Sequence, residues 1–141
     1  MNYHKAETEK DYKYIASLFC KENNEFLIRK EMSWKDVCRE HKKDSNVHTF
    51  ILEVEGENIG WISLTFKPES KKVMFGMIVD KPFQRKGYGT AALDILEKES
   101  KQLGAVGLEL DVFEKNDPAL AIYRKAGFKE VRKMVRMQKD F

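Results

Sequence analysis

Residues 82 to 92 read Pro-Phe-Gln-Arg-Lys-Gly-Tyr-Gly-Thr-Ala-Ala, and what this stretch is decides the fold. Gly87, Gly89 and Ala92 stand at the GxGxxA spacing with which a chain brings its backbone against a pyrophosphate. Upstream, Val73-Met-Phe-Gly-Met-Ile-Val79 is apolar almost throughout, as a strand covered on both faces would be. Downstream, Leu93, Leu96, Ser100 and Leu103 recur on one helical face, closed by Gly104 as a C-cap. The glycines therefore lie in a passage from strand to helix.

Two phosphate-binding devices of that shape do not fit. In a dinucleotide fold the glycines turn the chain directly off the strand, whereas here seven residues, Asp80 to Lys86, intervene, and Arg85 and Lys86 are cationic. Asp111 stands about 20 residues on, where an acidic ribose ligand would be sought, but the roughly fifty residues after the glycines are too few for a second mononucleotide-binding half. A P-loop would need Lys-Ser or Lys-Thr at its own spacing, and none is present. What remains is a run of backbone N–H groups entering a helix N-terminus, with cations beside it and glycines that keep side chains out of the way. Such a nest binds pyrophosphate through amide hydrogen bonds and the helix dipole.

Outward from the loop, the chain alternates helix-like and strand-like periods. A short strand is expected around residues 2 to 6. Thr8 with Asp11, and Ser33 with Asp36, are capping-box signatures ahead of two helices, with the apolar connector Glu25-Phe-Leu-Ile-Arg between them. From His48 the period becomes two, and Gly56-Glu-Asn58 divides a hairpin. A strand from Gly107 to Phe113 follows the central helix. Asp117 and Pro118 then read as N-cap and N1 of a short helix ending at Gly127, and residues 128 to 139 read as a final pair of strands. This is a mixed α/β chain with a right-handed parallel crossover between residues 73 and 113.

Composition bounds the function. The chain has 141 residues, 42% apolar and 35% charged, the size and balance of one soluble domain. It has no apolar run near the roughly 18 residues of a membrane span. The opening Met-Asn-Tyr-His-Lys-Ala-Glu has no signal-peptide character, so a cytoplasmic protein is expected. The net charge of +3 is too small for a dedicated nucleic-acid binder, although Lys129, Arg132, Lys133, Arg136 and Lys139 crowd the last thirteen residues. Cys20, Cys38, His4, His41 and His48 are scattered without metal-ligand spacing, so no metal is expected and the thiols are expected to be reduced.

Gln84-Arg-Lys-Gly-Tyr-Gly-Thr resembles the (Q/R)xxGx(G/A) acyl-CoA pyrophosphate loop of the GNAT superfamily of N-acyltransferases. Asn116-Asp-Pro-Ala119-Leu-Ala-Ile-Tyr123-Arg-Lys-Ala-Gly-Phe128 resembles the same family's NxxAxxxYxxxGF segment, in which the Asn and Tyr face the cofactor. The element order is similar to the family's over essentially the whole chain. The resemblance implies a single domain, 1–141, with a central, mostly antiparallel sheet, a parallel splayed pair within it, and about four flanking helices.

It also implies acetyl transfer from acetyl-CoA to a primary amine of a small molecule by direct attack in a ternary complex, in a monomer or homodimer. The splayed strand would leave backbone groups near Met77, Ile78 and Val79 unpaired for the acyl-pantetheine, with the Ile78 amide as oxyanion donor. Gln84, Arg85, Lys86, Gly87, Tyr88, Gly89 and Thr90 would hold the pyrophosphate, and Asn116, Ala119 and Tyr123 would line the cofactor. Tyr123, with an ordinary pKa of about 10 against about 8.5 for a thiol, stands where the family places its general acid. Met74 occupies the position of the usual glutamate base, which leaves Glu109, Asp111 or water to take the amine's proton. Glu25, Phe26 and Glu31, carboxylates beside apolar surface, suit an aliphatic or polyamine-like acceptor, and Asp80-Lys-Pro-Phe-Gln is spelled like the loop of polyamine acetyltransferases. The competing readings are a protein or peptide acetyltransferase acting on N-termini or lysines, and an acyl-CoA-binding sensor without turnover.

Overall fold

A computed structural model describes residues 1–20 and 33–141. Strand β1 (Asn2–Lys5) leads into helices α1 (Glu9–Leu18) and α2 (Trp34–Lys43). At the head of α1 the Thr8 hydroxyl accepts from the Asp11 amide at 3.1 Å, and the Asp11 carboxylate accepts from the Thr8 amide at 3.1 Å. A reciprocal cap of this kind stabilises a helix by about 1 kcal/mol. Ser33 caps α2 through the Asp36 amide at 3.2 Å.

Period-two patterning then builds three consecutive antiparallel strands, β2 (Val47–Val54), β3 (Glu57–Lys67) and β4 (Lys72–Val79). The β2–β3 turn is Glu55-Gly56, both at positive φ, so it falls one residue earlier than the glycine alone suggests. Two adjacent left-handed residues give the turn whose twist matches that of a hairpin. Helix α3 (Tyr88–Gln102) crosses over to β5 (Gly107–Glu109), which pairs with β4 in parallel, and α4 (Asp117–Lys125) follows. The strands lie in the order β1-β2-β3-β4-β5. On one face Tyr12 and Ile15 of α1 and Val37 of α2 pack with Ile51. On the other, Ala92, Leu93 and Leu96 of α3 close over Leu52, Ile62, Leu64, Val73 and Phe75, with Ile122 and Tyr123 of α4 beside them.

Three expectations are corrected. The strand expected from Gly107 to Phe113 stops at Glu109 because its last rung is Met74–Glu109, and a strand without a neighbour forms no ladder. The pair of strands expected over residues 128 to 139 is absent for the same reason, with every residue from 129 to 141 exposed. The cap of α4 is Asn116, one residue before the expected Asp117, because the Asn116 side chain accepts from the Ala119 amide at 3.4 Å.

Candidate functional site

The site begins where β4 outlasts β5. Beyond Met74, β4 runs on to Val79 with β3 on one side and, among the described residues, no strand on the other. Which backbone groups face the gap follows from strand parity, since alternate residues point their N–H and C=O to opposite edges. The Asp80 amide donates to the Ile59 carbonyl at 2.8 Å, so residues of even number face β3. The Lys71 carbonyl accepts from Val106 at 2.7 Å, so residues of odd number face the β5 side. The Met77 and Val79 amides therefore open into the fork, while the Ile78 amide faces β3. That corrects the expected oxyanion donor: Ile78 is committed to the ladder, and Met77 is its open neighbour.

The loop after β4 is held from within. Asp80 accepts from the Lys81 amide at 3.0 Å to start a single 3₁₀ turn, Lys81–Phe83. The Gln84 side-chain amide donates to the Val79 carbonyl at 2.8 Å and ties the loop to the strand end. Arg85 and Gly87 adopt positive φ, 64° and 84°, and Gly87 becomes the N-cap of α3 without a side-chain cap bond. The Tyr88, Gly89 and Thr90 amides, in the first turn of α3, have no intrahelical acceptor, because the ladder starts with Ala91 donating to Gly87. Arg85 and Lys86 stand exposed beside them. Free amides, a helix dipole and adjacent cations form a cradle for a doubly charged phosphate group.

Helix α4 joins loop and fork. A Cβ placed on Gly89 would lie 3.6 Å from Ile122 Cδ1, so α4 packs against the first turn of α3. The next residue, Tyr123, sets its ring edge-on to Phe75 of β4, 6.0 Å between centroids, and to Phe128, 5.6 Å. Burial pushes the Tyr123 hydroxyl above the ordinary phenol range. Asn116 is buried and engaged in capping, and Ala119 is half-buried on the first turn of α4. Sequence reasoning missed Phe75, which positions Tyr123, and Ile122; both sit in apolar runs with nothing local to distinguish them from core.

The candidate bases differ. Glu109 accepts from Lys67 Nζ at 2.5 Å, and this bond holds its carboxyl below the usual carboxylate range. A base so engaged is weak. Met74 shares a rung with Glu109, and Asp111 lies exposed two residues beyond that rung. Glu25, Phe26 and Glu31 fall outside the described residues. Among the described residues no cluster of His, Cys, Asp and Glu could hold a metal, and no helix is long and apolar enough to cross a membrane.

A family model described as the acetyltransferase (GNAT) family matches residues 6–128. An N-alpha-acetyltransferase of Sulfurisphaera tokodaii is 33% identical over 105 residues, 66% of this chain and 63% of that one. The spermidine N(1)-acetyltransferase of Escherichia coli K12 is 30% identical over 95 residues, 66% of this chain and 51% of its own. The chain thus spans between half and two thirds of the length of these curated relatives. Among solved structures, a spermidine N-acetyltransferase SpeG chimera from Vibrio cholerae and hSSAT superposes with a TM-score of 0.80 at 22% identity, covering 96% of this chain and 86% of that one. That likeness is one of fold.

Proposed function

The chain belongs to the acetyltransferase (GNAT) family, and from that premise we propose that it carries an acetyl group from acetyl-CoA to a primary amine by direct attack in a ternary complex. One observation carries the reading: two free strand amides, Met77 and Val79, open into a fork that leads through a tied loop to an uncapped helix N-terminus. A thioester carrier with a peptide-like arm and a pyrophosphate needs both parts, in that order.

Acetyl-CoA supplies the activated acyl carbon and a thiolate leaving group. The residues do the rest. With acetyl-CoA bound, the Met77 amide would be the donor for the oxyanion, and Val79 would extend the edge along which a pantetheine arm can pair as a strand does. The Arg85 to Thr90 amides hold the pyrophosphate. Tyr123 keeps a proton for the departing sulfur. An amine with a pKa of about 10 must lose a proton before it attacks, and water, with Asp111 second, takes it, since Glu109 is occupied by Lys67.

The acceptor class is drawn from the relatives, one named for α-amino groups and one for spermidine. A small polyamine-like amine is the acceptor we favour, with a peptide N-terminus the competitor. Release of free thiol from acetyl-CoA across polyamines, aminoglycosides and peptides with free α-amino groups tests both levels. Turnover is expected with at least one amine, and thiol release at the hydrolytic background with every amine would reject catalysis and leave an acyl-CoA sensor.

Gly89→Val tests the cradle. Coenzyme A at a hundredfold excess over its Kd stabilises the native state by about 2.7 kcal/mol, read as a rise in melting temperature. The variant is expected to lose that rise and keep a melt near wild type without ligand, because among the described residues the new Cβ would meet the end of the Ile122 side chain at 3.6 Å, an ordinary contact distance. An undiminished rise would move the pyrophosphate away from the loop.

A further inference from the structure

Three aromatic side chains lie on the face of the sheet opposite Tyr123. In β4, Val73, Phe75 and Met77 turn toward α3, so alternation turns Gly76 and Ile78 toward α1. There Gly76 leaves a gap, since a Cβ on it would lie 3.3 and 3.4 Å from Cη2 and Cζ3 of Trp61. Trp61, opposite Ile78 on β3, sets its ring edge-on to Phe19 at the end of α1, 5.4 Å between centroids, and Tyr14 of α1 belongs to the same cluster. We propose that Trp61, Phe19 and Tyr14 seat the distal ammonium of a diamine or polyamine acceptor, whose other nitrogen passes Gly76 to the acyl carbon. The inference rests on the transfer proposed above and names its acceptor class.

The leaving group decides which face the amine uses. Tyr123, the proton donor proposed for sulfur, packs on Phe75 and so lies on the α3 side of β4. Rings fill that side. The path to a carbonyl held at the Met77 amide runs over the other face, where the residue next to Met77 has no side chain. A glycine inside a strand marks a place where another group comes close to the backbone, and here the floor beneath it is an indole.

The lining suits a cation. Of the aromatic side chains, tryptophan attracts an ammonium most strongly. The Tyr14 hydroxyl and Trp61 Nε1 are buried without a hydrogen-bond partner among the described residues, and the hydroxyl oxygen can accept from an ammonium N–H. Carboxylates supply the field. Asp80 is fastened to β3 by donating its amide to the Ile59 carbonyl, and Glu57 begins that strand. Burial, with the charges of Asp80 and Glu57, pushes the Tyr14 hydroxyl well above the ordinary phenol range, and a field that resists a further anion there attracts a cation. Tyr14, Phe19, Trp61 and Gly76 are each half-buried, so the seat is lined but open. The reacting nitrogen must be neutral and the seated one charged, and an acceptor with two amino groups supplies both.

Kinetics with 1,4-diaminobutane and butylamine, chains of equal length, read the seat. The diamine is expected to have a kcat/KM about tenfold or more above the monoamine. Trp61→Leu is expected to raise KM for the diamine about tenfold or more, to leave KM for acetyl-CoA within about twofold, and to erase the preference, while Trp61→Phe, which keeps a π face, recovers part of it. A cooperative melt that coenzyme A raises shows that each variant is folded. Binding is followed without turnover in Trp34→Phe, where Trp61 is the remaining tryptophan of two. With coenzyme A present, its emission is expected to change with the diamine and not with the same concentration of butylamine. That change without thiol release would end the transfer reading and keep the seat. Equal kcat/KM for the two amines, an unchanged diamine KM in Trp61→Leu, silent Trp61 emission, or acetylation of other amines with none of the diamine would overturn the seat, and thiol release alone then decides the transfer.

Discussion

Tyr123→Phe is expected to lower kcat by about 10²- to 10⁴-fold, the range of a lost general acid, with little change in KM for acetyl-CoA. Phenylalanine keeps the ring and its edge-on contacts with Phe75 and Phe128, so packing survives and only the hydroxyl is removed. In the proposed transfer, the electron pair of the breaking carbon–sulfur bond would go to sulfur and the Tyr123 hydroxyl would supply the proton. The interaction grows with that charge and is nearly absent in the ground state, which is why the loss falls on kcat. Burial raises the Tyr123 pKa, favouring the protonated form. The acid is thus fully present at neutral pH, and any alkaline fall in kcat due to this group lies above the ordinary phenol value of about 10. The deficit should shrink with acyl donors whose thiols leave more readily. A variant that keeps kcat within about threefold, under 1 kcal/mol of barrier, makes Tyr123 a packing residue and hands the proton to water.

Gly60→Ala is expected to destabilise the fold by about 1–3 kcal/mol or more, the cost of forcing a methyl into a filled site. A Cβ there would lie 2.5 Å from the Ile78 carbonyl oxygen and 3.2 Å from the Val79 Cα, both backbone atoms that cannot swing aside. Relief requires β3 and β4 to part at the end of the sheet from which Met77 and Val79 address the fork. The urea midpoint should therefore fall with the slope unchanged. Gly89→Ala, whose Cβ meets only a flexible Ile122 terminus at 3.6 Å, is the control and should melt near wild type. Equal midpoints for the two variants would mean that β3 and β4 do not approach so closely in solution.

The parts of this fold that the residues announce are the local ones. Thr8 with Asp11 and Ser33 with Asp36 cap helices where their spacing says they should. The loop of Gly87 and Gly89 opens α3 because a positive φ and a bare N-terminus are properties of a few adjacent residues. Relations across the sheet are not written locally. Gly60 looks like a weak point in a strand until β4 is beside it, and Lys67 is one more surface cation until it meets Glu109, 42 residues on. The choice of Ile78 as oxyanion donor failed on parity, which depends on where β3 lies and not on composition. The final strands failed because alternation describes a strand's faces and cannot supply its neighbour.

Strand order and chain order coincide in this sheet, and that has a consequence for folding. β2, β3 and β4 are joined by short turns, so their pairing closes small loops and can form early. The β4–β5 rungs wait on a crossover through the whole of α3, and only three of them form. The meander is therefore expected to form before the fork. In the native state the same hierarchy runs in reverse: opening confined to β5 and α4 costs less than global unfolding. The fork thus lies beside the strand pair that the fewest rungs hold in the sheet, and opening there leaves the meander's own ladders intact.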